Sequence, residues 1–314
     1  MKQKIFVLGA AGYIGKTAVQ QAVAAGWEVK ALVRTTTAAA VITGLGGQAV
    51  IGDALQIKSW INEARGCRIM LDLIQPKLPK HLSRRSMRAV AAYRLNATRT
   101  VLDGLKQLAE NDRPLFLNIS GVDDLAVDGN GYISHRSALV KQLKGFAQIG
   151  VPVRQLVESI GLNAIYVYLR TVYGPGKAFA ETVIPGLLRR KMPVIGNGEN
   201  NMALIYVEDA ARAIVHLCTQ ADNIPPGSTW VVTDGTATTQ AELMDGIASM
   251  LEVKPPRRIP YWLAALLAGV VTSEVLTREC KTDISALQGL GFKLNYPVWQ
   301  AGVPQMLKSL GYSI

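Results

Sequence analysis

Short apolar runs alternate with amphipathic stretches along the first half of the chain, and glycine, proline or charged residues stand at most of the junctions. The apolar runs are residues 5–8, 28–33, 49–51, 69–74, 115–119 and 164–169. Helical patterns fall between them at 17–25, 58–64, 86–108 and 134–147. The last is interrupted by Gly150-Val151-Pro152 before a second helical piece ending at 159. Runs this short predict buried strands, and their alternation with helices predicts parallel strands joined by right-handed crossovers. The expected fold class is α/β, a doubly wound parallel sheet. Beyond Tyr173 the elements shorten and prolines become frequent, which predicts a smaller appended lobe.

The first run leads into Gly9-Ala10-Ala11-Gly12-Tyr13-Ile14-Gly15 and then into a helical pattern. A pyrophosphate can rest on a helix N-terminus only if the preceding turn carries no obstructing side chains and leaves its N–H groups free. Gly9 supplies the tight turn, Gly12 the close approach of backbone to phosphate, and Gly15 the packing of helix on strand. Three glycines in this position predict a dinucleotide site. At the end of the second run, where a carboxylate would bind the ribose hydroxyls of NAD, stands Arg34, followed by Thr35, Thr36 and Thr37. A guanidinium can hold a 2′-phosphate bidentately, so the predicted cofactor is NADP(H) in preference to NAD(H).

The 314 residues are enough for one large domain or two unequal ones, and 49% are hydrophobic. The net charge of +11 suits anionic ligands. Its densest cluster, Lys77, Lys80, His81, Arg84, Arg85 and Arg88, has no interleaved aromatics, so no nucleic-acid partner is expected. Cys67, Cys218 and Cys280 are scattered and read as reduced thiols of a cytoplasmic protein without a metal site. The longest apolar run, 262–271, is too short to span a bilayer and is expected to be a buried helix, with contact to a membrane surface as the alternative.

With its glycine turn the chain resembles an extended short-chain dehydrogenase/reductase of the NAD-dependent epimerase/dehydratase type. It is nearest to the branch holding dihydroflavonol reductases and 3β-hydroxysteroid dehydrogenases. Further landmarks are Gly52-Asp53, Asn96 with Thr100, Ser120, Val172-Tyr173-Gly174-Pro175-Gly176, Val207-Glu208-Asp209-Ala210-Ala211 and Leu290-Gly291-Phe292. The resemblance implies a Rossmann domain of residues 1–172 and 204–233. It implies a discontinuous substrate lobe of 173–203 and 234–314, with a small-molecule substrate between the two. Cofactor contacts are implied for Tyr13, Ile14, Ala54 and Leu73, and for Asp53 at the adenine amine. The implied activity is oxidoreduction at a carbonyl or hydroxyl of a small apolar molecule. A sugar-nucleotide epimerase or dehydratase is one alternative, and an NADP(H)-binding sensor or assembly partner with a degenerate site is another.

The chemistry of the family lies in a Tyr-x-x-x-Lys on the helix after the fifth strand. The literal match here, Tyr173 to Lys177, encloses Gly-Pro-Gly, which cannot make the helical turn that aligns the two side chains. The usual spacing back from Gly161-Leu162 falls on Phe146 and Gly150, which do no acid–base work. The expectation is therefore a rebuilt site, with Tyr132 as acid, Arg136 as its cation and Ser120 as a further hydroxyl. Asp123 and Asp124 read as loop carboxylates, and His135 and His216 as single histidines, the latter structural.

Overall fold

The computed structural model describes residues 3–79, 82–176 and 179–312. Seven strands form one parallel sheet: β1 (Lys4–Leu8), β2 (Glu28–Val33), β3 (Gln48–Ile51), β4 (Ile69–Asp72), β5 (Leu115–Gly121), β6 (Ala164–Leu169) and β7 (Thr229–Val232). Their order is β7-β6-β5-β4-β1-β2-β3, so the chain reverses direction across the sheet between β1 and β4. In a sheet wound this way, ligands lie outside the carboxyl ends at that reversal. The α/β doubly wound class is thus observed as expected.

Helices α1 (Tyr13–Ala24), α2 (Thr36–Gly44) and α5 (Val207–Thr219) accompany one core layer, through Val19, Ala22, Ile42, Ile214 and Leu217. Helices α3 (Arg84–Lys106) and α4 (Ala147–Ile160) serve the other, through Val101, Leu105 and Val157, with Trp60 and Phe116 between them. A third core cluster gathers Tyr173, Ile184, Val194, Ile247, Trp299 and Val303. Residues 287–292, which precede the C-terminal helix, do not join that cluster. Leu287 and Phe292 are buried in the first core layer, and His216 hydrogen-bonds the Leu290 carbonyl at 3.0 Å.

Three local expectations are corrected. Residues 134–146 are not helical. Leu139 bridges Leu125 in antiparallel fashion, and the Ala126 and Val140 N–H groups reach the Ala138 and Asp124 carbonyls. Non-local pairing has displaced a local helical pattern. Gly150 and Pro152 then lie inside α4 rather than breaking it. Pro152 forfeits one backbone hydrogen bond, and Gly150 is needed for a contact described below. Finally, the apolar run 262–271 is not a buried helix. Gly269 (φ 95°) divides it into α6 (Tyr261–Ala268) and α7 (Val270–Thr277), and most of α6 faces outward.

Candidate active site

At the reversal point Gly9 adopts φ +72° and lies against β4; an added Cβ would sit 2.4 Å from the Leu73 carbonyl oxygen. A Cβ on Gly15 would sit 2.3 Å from the Gly9 carbonyl oxygen. Gly12 is the N-cap of α1 and offers no side chain, so the helix presents uncapped first-turn N–H groups of Tyr13 and Ile14 beside Leu73. This is an anion cradle that only glycines allow. Tyr13 reaches toward Gly174, where an added Cβ would come within 2.9 Å of its hydroxyl.

Arg34 follows β2, is exposed, and makes no hydrogen bond or ion pair with the described residues. Thr35 caps α2 by accepting from the Ala38 N–H at 3.2 Å, leaving the N–H groups of Thr36 and Thr37 free beside Arg34. Asp53 stands after β3 with one carboxylate oxygen held by the Leu55 N–H at 2.9 Å, and Ala54 is half-buried next to it.

The wall at Leu73 is held by a pair that the sequence reading missed. Asp72, fully buried at the end of β4, accepts from Arg94 of α3 at 2.7 Å, and Arg94 also reaches Thr98 at 2.8 Å. The other Asp72 oxygen accepts from the Ile74 N–H at 3.1 Å, which ends the strand at residue 72 and turns Leu73 toward Gly9. The signal was available: an aspartate closes an apolar strand, and an arginine lies on a helix face whose neighbours Val90, Ala97 and Val101 are apolar. Asn96, matched above to the family's helix asparagine, is exposed, while Arg94 two residues earlier faces the sheet.

At the end of β5 the hydroxyl of Ser120, half-buried, lies 2.5 Å from the Asp124 carboxyl. Asp124 is buried, and desolvation pushes its pKa from 3.8 up to about 8. It is therefore a neutral acid at neutral pH. The space it fills is that of the absent side chain at residue 150: a Cβ on Gly150 would stand 1.9 Å from Asp124 Oδ2 and 2.3 Å from Ser120 Oγ. The position where the family spacing would put a lysine is thus given over to a carboxyl and hydroxyl pair. Neighbouring Asp123 is paired with Arg170 and, at 3.0 Å, with Arg278. Arg278 also donates to the Asp123 and Leu125 carbonyls, and Arg170 to that of Val275, so this loop is riveted to α7 and the residues after it.

Tyr132 and Arg136 do not share a helix, which corrects the basis on which they were paired. Tyr132 is on a two-residue strand (Tyr132–Ile133) beside Lys281–Thr282, 40% exposed, and lines an open polar cleft of about 460 Å3 with Asp128, Asp234, Thr282 and Gln288. Arg136 lies in the following turn against His135, at 3.3 Å. Nothing in that arrangement presents a cation to the Tyr132 hydroxyl through a helical turn. Tyr173 is buried; Lys177, its partner in the literal motif, lies outside the described residues, as do Lys80 and His81. No group of three or more potential metal ligands occurs among the described residues.

A glycine-lined cradle at the reversal of a seven-stranded parallel sheet defines a Rossmann-type dinucleotide-binding protein, and the residues present fit that group. The comparisons carry this further. The model of the NAD dependent epimerase/dehydratase family matches residues 151–233, and that of the NmrA-like family matches residues 1–64. A 3-diazoavenalumate denitrifying reductase from a Streptomyces species is 25% identical over 312 residues, covering 96% of this chain and 99% of that protein. Human epimerase family protein SDR39U1, solved with NADPH, superposes with a TM-score of 0.78 at 16% identity over 98% of this chain and 99% of that one. The dTDP-glucose 4,6-dehydratase DesIV of Streptomyces venezuelae, solved with NAD, gives 0.72 at 18% identity over 98% and 96%. Two separate stretches of the chain thus match family models of nicotinamide-dinucleotide-type proteins, and over its whole length the chain shares the fold of the solved epimerases and dehydratases.

Proposed function

We propose that this enzyme is an NADP(H)-dependent reductase of a carbonyl, or another electrophilic group, on a small apolar molecule held between the lobes. The single observation that carries the cofactor choice is Arg34, unpaired beside the free N–H groups of Thr36 and Thr37. A 2′-phosphate there would meet a guanidinium and a helix N-terminus together. The full-length relative at 25% identity is a reductase, and one structural neighbour was solved with NADPH; both support the reading. The bound cofactor supplies hydride. Gly9, Gly12 and Gly15, with Tyr13, Ile14 and Leu73, would hold the dinucleotide, and Asp53 and Ala54 would face its adenosine end.

Proton delivery falls in this reading to Ser120 rather than to Tyr132. Ser120 donates its proton to the oxygen that gains charge on reduction, and the Asp124 carboxyl returns a proton to Ser120 along their 2.5 Å hydrogen bond. Solvent then reprotonates Asp124. Ser120 is the catalytic residue; Asp124 acts through it. We place the enzyme in the cytoplasm, a location consistent with three buried free cysteines, of which burial pushes Cys67 up to about 11. Titration of NADPH and NADH by fluorescence tests the cofactor choice. Wild type is expected to favour NADPH, and Arg34→Ala to weaken NADPH about tenfold while sparing NADH. Equal affinities in wild type would overturn it.

A further inference from the structure

Helix α6 carries its large side chains outward. Trp262, Leu266 and Leu267 are 67%, 71% and 67% exposed, and Tyr261 and Val270 lie near two-fifths, while Ala264 turns inward. Trp262 and Leu266 lie four apart on α6 and form a ridge with Leu267 beside it; Gly269 then turns the chain, and exposed Val270 opens α7. Contiguous apolar surface of this kind marks a contact site.

Both ends of the ridge are basic. Lys254 and Arg257 are exposed just before it. At the other end Gly269 packs on the backbone of Leu82, where an added Cβ would be 2.8 Å from the carbonyl oxygen. That contact sets the start of α3, with exposed Arg84, Arg85 and Arg88, beside the end of α6. None of these five cations has an ion-pair partner among the described residues, and the chain as a whole carries +11.

We propose that α6 is a docking surface for an anionic lipid bilayer. The ridge enters the boundary between headgroups and acyl chains, and the flanking lysine and arginines meet lipid phosphates. An eight-residue helix is far too short to cross a bilayer, so it lies along the surface. A second copy of the chain fits less well. Because both ends of the ridge are cationic, pairing two ridges in either direction sets like charges against each other.

Co-sedimentation of the full chain with phosphatidylcholine vesicles, with and without phosphatidylglycerol, tests this. Binding is expected only to the anionic vesicles and is expected to weaken as salt rises. Brominated acyl chains should quench tryptophan fluorescence in wild type but not in Trp262→Phe. The pair Leu266→Glu and Leu267→Glu should lose binding by tenfold or more while keeping melting temperature and NADPH affinity. Arg84→Gln and Arg85→Gln should each weaken it about fivefold. Equal binding to neutral vesicles, an unaffected glutamate pair, or lipid-free dimerisation abolished by that pair would overturn the proposal.

Discussion

Asp72→Ala is expected to lower folding stability by about 3–5 kcal/mol, because it strands the Arg94 guanidinium in a buried site without its carboxylate. Asp72 is fully buried and Arg94 nearly so, and among the described residues the guanidinium has, besides Asp72, only the Thr98 hydroxyl. The same substitution frees the Ile74 N–H and loosens the Leu73 wall against Gly9, so NADPH affinity should fall as well. Urea unfolding with a fluorescence readout measures the first effect, and nucleotide titration the second. Asp72→Leu combined with Arg94→Met removes both charges and should recover most of the stability, since well-packed apolar replacements of buried pairs are often neutral. A loss under about 1 kcal/mol in Asp72→Ala would mean that Arg94 finds water, against its observed burial.

The second large effect is kinetic. Ser120→Ala should lower kcat for carbonyl reduction by about a hundredfold to ten-thousandfold, the usual contribution of a positioned acid, with NADPH affinity unchanged. Asp124 must be protonated to resupply Ser120, so turnover should fall as pH rises through about 8. The groups facing Asp124 are Asp123, which raises its pKa, and Arg278 and Arg154, which lower it; Tyr168 is close enough for Asp124 to raise its own pKa. Asp124→Asn should be slower and should lose that alkaline limb. A limb that survives unchanged in Asp124→Asn would remove Asp124 from the relay.

Stability gives an activity-free check on the same group. The folded protein holds the Asp124 proton up to about pH 8, whereas the unfolded chain releases it near the ordinary aspartate value of 3.8. Between those limits the native state binds more protons than the unfolded state, so stability falls as pH rises. The melting temperature of wild type relative to Asp124→Asn should therefore be highest near pH 4 and should decline toward pH 8. A constant difference across that range would show that Asp124 titrates normally.

The sheet was legible because its strands are short apolar runs whose burial the sequence displays directly; β2 and β6 match their predicted limits residue for residue. The glycine cradle was legible for the same reason, since closeness of backbone to backbone leaves no other residue type possible. The acid–base site was not. Residues 134–146 carry a helical pattern but are claimed by pairing with 124–126, a partner no local window contains. The exchange of a lysine side chain for a carboxyl reaching in from another loop is visible only when Gly150 and Asp124 are seen face to face. The burial expected of 262–271 failed because hydrophobicity alone does not say whether the apolar neighbour is protein.

The return of residues 287–292 to the first core layer bears on how the chain matures at the ribosome. On α5, His216 and Arg212 receive the ring of Phe292, and Leu287 joins the same core layer, from a segment translated some seventy residues later. Until that segment emerges, the nascent nucleotide-binding sheet keeps an uncovered apolar flank, with His216 lacking the Leu290 carbonyl. Co-translational folding of the sheet cannot finish domain by domain. The first core layer is therefore closed only when residues 287–292 have emerged, close to the end of translation.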